Sequence, residues 1–133
     1  MPDALSLRLG HAHHWDCNET LENLGSSYHQ INQLEQQQSA ISNDIVAAKR
    51  TLDEMQTIAT LSVEGKNAEE RKARLTEHLK NDADYQRVLQ HLDSLQGRLD
   101  GVRLTIGTHE RLVRYIEYQL KYKIAMLRVI GGE

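Results

Sequence analysis

Hydrophobic side chains return every seven residues through the second half of the chain, at Tyr85, Leu92, Leu99, Ile106, Val113, Leu120 and Leu127. Three positions after each of the first six stand Val88, Leu95, Val102, His109, Ile116 and Lys123. Alternating steps of three and four keep to one side of an α-helix, and a seam of this kind must be covered by another helix. The spacing predicts one long helix over 83–130, started by Asp82 and stopped by Gly131-Gly132.

A weaker copy of the pattern fills the first half. Leu24, Ile31, Gln38, Ile45, Leu52 and Ala59 alternate with Leu34, Ile41, Ala48 and Met55. This predicts a helix over 18–62, capped by Asn18 and ended before Gly65. Gly25-Ser26-Ser27 loosens its start. Between the two, Asn67 caps a short charged helix over 68–80, with Leu75 and Leu79 as its apolar pair. Two long helices joined by a short turn module fold back on each other. The expected fold class is all-α: an antiparallel helical hairpin or coiled coil of two long helices, a short charged helix at the turn, and an oligomer. Residues 1–17 form an N-terminal arm and 18–133 a single helical domain.

Two polar residues intrude on the seams, Gln38 in the first helix and His109 in the last. Pairing the helices about the middle of the turn brings them close together, as a polar layer that fixes register at some cost in stability. Other apolar residues lie beside the seams: Leu21, Tyr28 and Ile58 on the first helix, Leu89, Leu112, Ala125, Met126 and Ile130 on the last. They widen the apolar face beyond what one partner helix covers. Either the 68–80 segment packs back on it, or the chain self-associates; self-association is the favoured expectation.

Composition fits this frame. Of 133 residues only 39% are apolar, and there is no Phe. The mean hydropathy is −0.60. A narrow helical seam needs less apolar material than a compact globule, so the values suit an elongated shape. Pro2 is the single proline and leaves long helices uninterrupted. Cys17 is the single cysteine, so no internal disulfide forms, which suits a reducing compartment. The N-terminus lacks a secretory pattern, and no apolar run reaches membrane-spanning length. A soluble, cytoplasmic protein without a membrane partner is expected.

The net charge of −3 is unevenly spread. Residues 1–67 hold four basic and nine acidic side chains, and residues 68–133 hold twelve and ten. From 103 to 133 there are six basic residues against three acidic. There Tyr115, Tyr118 and Tyr122 fall on one helical stripe, with Arg111, Arg114, Lys121, Lys123 and Arg128 around them. Cations interleaved with aromatics hold single-stranded nucleic acid by phosphate attraction and base stacking. The same residues also suit a widened packing face with Arg and Lys snorkelling over it.

The turn module, Lys66, Asn67, Arg71, Lys72 and Arg74, offers a helix N-terminus and cations to a phosphate. It equally suits a solvated tip closed by a Glu70–Arg74 pair, which is the favoured expectation. His11, His13 and His14, followed by Asp16 and Cys17, have the side chains of metal ligands. Without a second separated pair they make a weak site, and no metal or other cofactor is expected. Trp15 beside them suits an anchor on a helix or on another subunit. No phosphate loop, nucleophile elbow or HExxH is present, so no catalytic residue is expected and the chain reads as non-enzymatic, without a small-molecule substrate.

The stretch GKNAEERKARLTEHLKNDADYQ, Gly65 to Gln86, resembles a turn signature of small phage and prophage coiled-coil proteins. In that pattern a G-K-N-x-x-x-R-K module and an N-D-x-x-Y step lead into a long heptad helix. Gly65, Lys66, Asn67, Arg71, Lys72, Asn81, Asp82 and Tyr85 match it. Such proteins tend to be encoded beside DNA-recombination and single-strand-annealing genes. The resemblance implies an accessory role in phage DNA metabolism within a bacterial host. The expected partners are a second copy of the chain and either single-stranded DNA or a recombination or replication protein. The other reading is a purely protein-binding adaptor or inhibitor whose acidic first helix occupies a basic surface.

Overall fold

The computed structural model describes residues 17–131, so His11, His13, His14, Trp15 and Asp16 of the expected arm lie outside the described residues. The described chain is all-helical: α1 spans Cys17–Ser62, α2 Ala68–Asn81 and α3 Ala83–Ile130. No strand occurs among the described residues. The boundaries fall within one residue of those expected from the apolar spacing and the caps.

Each helix end has a local cause. Along the last turns of α1 the hydroxyls of Thr57, Thr60 and Ser62 donate to the carbonyls of Asp53, Gln56 and Ile58, four residues back. At α2 the Asn67 side chain accepts from the Glu70 N–H at 2.8 Å, and the Glu70 carboxylate accepts from the Lys66 N–H at 3.1 Å. This reciprocal arrangement satisfies amide donors that a helix N-terminus leaves free. Asp82 serves both sides of the next joint. Its N–H donates to the Leu79 carbonyl, while its carboxylate accepts from the N–H groups of Asp84 and Tyr85. The Gln86 side chain ties back to Leu79 across the same step, at 3.1 Å.

Gly65 is required where it stands. A Cβ on it would come within 2.8 Å of the Arg71 Cγ and 2.9 Å of the Arg71 backbone nitrogen. The loop thus approaches the first turn of α2 closely enough to exclude any side chain.

The described residues form two compact units, each built from parts of α1 and α3. One comprises 36–103 and so includes α2. Its core is Ile41, Ile45, Ala48, Leu95 and Leu99, with Leu92 and Val102 packed alongside. Leu95, only 2% exposed, is the most deeply buried of them. Leu52, Ala59 and Tyr85 are also buried, and the Tyr85 hydroxyl accepts from the Gln56 side chain at 2.8 Å. Gln38 belongs to this unit and is half-buried. No residue of α2 is buried, although Leu75 and Leu79 are half-covered.

The other unit comprises 17–35 and 104–131 of the described chain. Ser27, Ile31, Ile106, Val113 and Ile116 are its buried side chains. Burial in both units follows the steps of three and four seen in the sequence, which is why so few apolar residues suffice. The exception is Leu127, which is exposed.

Candidate functional site: the outer face of α3

The residues singled out near the C-terminus all lie on α3 in the second of these units. Residues seven apart on a helix stand almost above one another, about 10.5 Å along the axis. Arg114, Lys121 and Arg128 therefore make one row, and Tyr115 and Tyr122 make the next. Arg111 and Tyr118 lie between these rows. All are exposed, Tyr115 by 60%, Tyr118 by 71% and Tyr122 by 58%. The rows carry four cations, three phenols and no carboxylate. Lys123 is set apart from them: it occupies a seam position and is half-buried.

The two carboxylates of this part of α3, Glu110 and Glu117, stand one turn from Arg114 and Lys121 and so flank the cationic row on one side. They line a groove of about 430 Å³ with Tyr28, Ile31, Asn32, Glu35, Val113 and Arg114. The Tyr28 hydroxyl donates to Glu117 at 2.8 Å. That bond, with smaller help from partial shielding and the carboxylate's charge, holds the Tyr28 phenol above its ordinary value of 10.0. Within the rows the polar contacts are weak and local. Gln119 donates to the Tyr115 hydroxyl at 3.0 Å, and Arg111 to Thr108 at 3.4 Å. The cationic face can therefore attract an anion, and its phenols present flat rings to a base.

The turn module differs in kind. The Arg71 guanidinium donates to the Gly65 carbonyl at 3.3 Å, and that of Arg74 to the Glu64 carbonyl at 2.9 Å. Arg74 also pairs with Glu70 at 2.8 Å. The pair is largely solvated and adds little stability by itself. These arginines close the loop while staying exposed, as Lys66 and Lys72 are.

His109 occupies a seam position of α3. A groove of about 480 Å³ runs past it, lined by Asn23, Ser26, Ser27, Gln30, Leu112, Tyr115 and Ile116. Its Nδ1 is buried and has no hydrogen-bond partner in the protein. The polar residues that share this groove with it are Asn23, Ser26, Ser27, Gln30 and Tyr115. Gln38, expected beside it, belongs to the other unit. Ser27 is the residue that the apolar pattern missed. It stands three positions after Leu24 and seven before Leu34, at a seam position, and is 6% exposed. Counting by seven reveals it; reading only apolar types hides it.

Among the described residues no three His, Cys, Asp or Glu side chains are grouped so as to hold a metal ion, and Cys17 is exposed and free. No described helix is long and apolar enough to cross a membrane. No protein family, curated protein or solved structure matches the chain.

Proposed function

We propose that the chain is a non-enzymatic, self-associating coiled-coil hairpin, an accessory protein of phage-type DNA recombination or replication. It contacts single-stranded DNA, or a recombination protein, through the outer face of α3. The observation that carries the reading is the exposed row Arg114–Lys121–Arg128, with Arg111 and the Tyr118 ring beside it and no carboxylate among them. Cations spaced along a backbone with aromatic rings beside them suit a flexible single strand whose bases are free to stack.

The hairpin is supported by contacts in each unit between a late residue of one long helix and an early residue of the other, as in Gln56 with Tyr85 and Tyr28 with Glu117. Apolar side chains left exposed beside the seam support self-association. The phage setting, and with it the bacterial cytoplasm, rests on the turn signature between Gly65 and Gln86. Anisotropy of a labelled oligonucleotide tests the DNA contact: binding at low salt that falls away at high salt is expected. No binding at low salt removes it.

A second reading has its own support. The α1 segment of the same unit carries Glu19, Glu22 and Glu35 and no Lys or Arg. A helical segment whose charges are all acidic suits a protein that occupies a partner's basic surface, as adaptor or inhibitor. A single stoichiometric protein captured in a pull-down, and retained after nuclease treatment, favours this reading over the first.

A further inference from the structure

Leu112, Tyr115, Gln119, Tyr122, Met126 and Val129 follow one another along α3 by steps of three, four, three, four and three. This is a second heptad line, distinct from the buried seam through Ile106, Val113 and Ile116. It carries no charge. It begins where the same line changes from Thr105 and Thr108 to apolar residues. Leu112, Tyr115, Tyr122 and Val129 are all exposed, the last by 74%. The α1 residues that share a groove with Leu112 and Tyr115, among them Asn23, Ser26 and Gln30, are polar and offer these two no apolar cover.

We infer that this line is a dimerisation seam, covered by the same line of α3 in a second copy of the chain, running antiparallel about a two-fold axis. The inference rests on the self-association in the function proposed above and names its surface. Steps of three and four are the signature of a face that meets another helix, not a strand or a loop. The absence of charge sets it apart from the neighbouring cationic rows, where a nucleic acid or an acidic helix would settle.

Area points the same way. Taking about 200 Å² for a whole side chain of this size, the exposed parts of the six residues come to on the order of 500 Å² per copy. Two copies reach the roughly 1,000 Å² that a specific interface needs, provided the partner helix follows the whole line of about 26 Å. The second copy brings a helix of that length with a matching face. In the two-fold pairing Leu112 meets the second copy's Val129, Tyr115 its Met126 and Gln119 its Tyr122, each contact occurring twice.

The rearrangement divides the tyrosines. Tyr115 and Tyr122 go to the dimer, while Tyr118 stays on the open surface with Arg111, Arg114, Lys121 and Arg128. Two such surfaces in one dimer would grip a strand more firmly than one.

Light scattering and crosslinking of the full chain test this. Wild type is expected to be a dimer whose mass holds or rises with salt, since the flanking cations repel and salt screens them. Tyr122→Glu is expected to give a monomer with unchanged helical circular dichroism. Tyr118→Glu, the same charge change one row away, is expected to remain dimeric. In a Cys17→Ser background, Gln119→Cys is expected to link to its twin through a short bismaleimide. Leu112→Cys, about 26 Å from its twin in this arrangement, is expected not to link. A link at 112 overturns the antiparallel pairing. An assembly indifferent to Tyr122→Glu overturns the surface while leaving self-association standing, and a wild type that stays monomeric overturns both.

Discussion

His109 is a polar residue in the seam beside Ile106, Val113 and Ile116, with Ser27 on the helix it faces. A serine leaves open space beside an imidazole whose Nδ1 is buried and unpartnered. An unmet buried polar atom costs about 1–3 kcal/mol. His109→Leu removes the atom and fills part of the space, so a gain of about 1 kcal/mol in unfolding free energy is expected, visible as a higher melting temperature. An unchanged or lower value would mean that the imidazole is satisfied in solution. Tyr28 gives a pH signature on the same scale. Its neutral phenol is the donor to Glu117, and its folded value is raised above 10.0. The stability from this bond is complete below the ordinary value and is lost as pH climbs through the raised one. Tyrosinate absorbance should show one phenol titrating above 10.0 that is missing in Tyr28→Phe. The melting-temperature gap between the two proteins should close as pH rises past it.

At the scale of the elements, the loop before α2 depends on a close approach that no heptad count reveals. Gly65→Ala would set a methyl group against both the Cγ and the backbone nitrogen of Arg71. The side chain can yield but the backbone cannot, so a loss of about 1–3 kcal/mol is expected. The loss should persist in an Arg71→Ala background, and its disappearance there would show that only the side chain was in the way. The long helices were more readily legible. Spacing by seven located Ile106, Val113 and Leu99 because burial on a helix repeats with that period. Asn67 and Asp82 were legible as caps because few residues supply a side-chain acceptor there. Leu127 was misplaced by the same count. Counting by seven shows that a residue keeps the phase of the seam, not that another helix covers it, and Leu127 is 43% exposed. The tyrosine stripe was legible as a stripe. Its division into an uncharged line and a cationic surface needed the exposures and the polar neighbours on α1.

At the scale of the whole molecule, a net charge of −3 opposes any polyanion, so binding must come from a local excess of cations. Arg111, Arg114, Lys121 and Arg128 are four such charges on one face, without a carboxylate in their rows. Each phosphate neutralised on a single strand releases about 0.7 of a counterion. One copy engaging all four therefore gives a plot of log affinity against log salt with a slope of about −3. Arg114→Gln should lower the slope's magnitude by about 0.7, with a modest loss of affinity at low salt. Tyr118→Ala should leave the slope alone and cost about 1–3 kcal/mol if a base stacks on that ring. Arg71→Gln should alter neither, because that guanidinium already closes a loop through the Gly65 carbonyl. A protein that binds a basic partner through α1 behaves otherwise. It shows no oligonucleotide binding to perturb, and its salt dependence follows Glu19, Glu22 and Glu35 in place of the arginines of α3. Measuring the oligonucleotide slope in wild type, Arg114→Gln and Tyr118→Ala, and the salt dependence of a captured basic protein in wild type and Glu22→Gln, therefore separates the two readings.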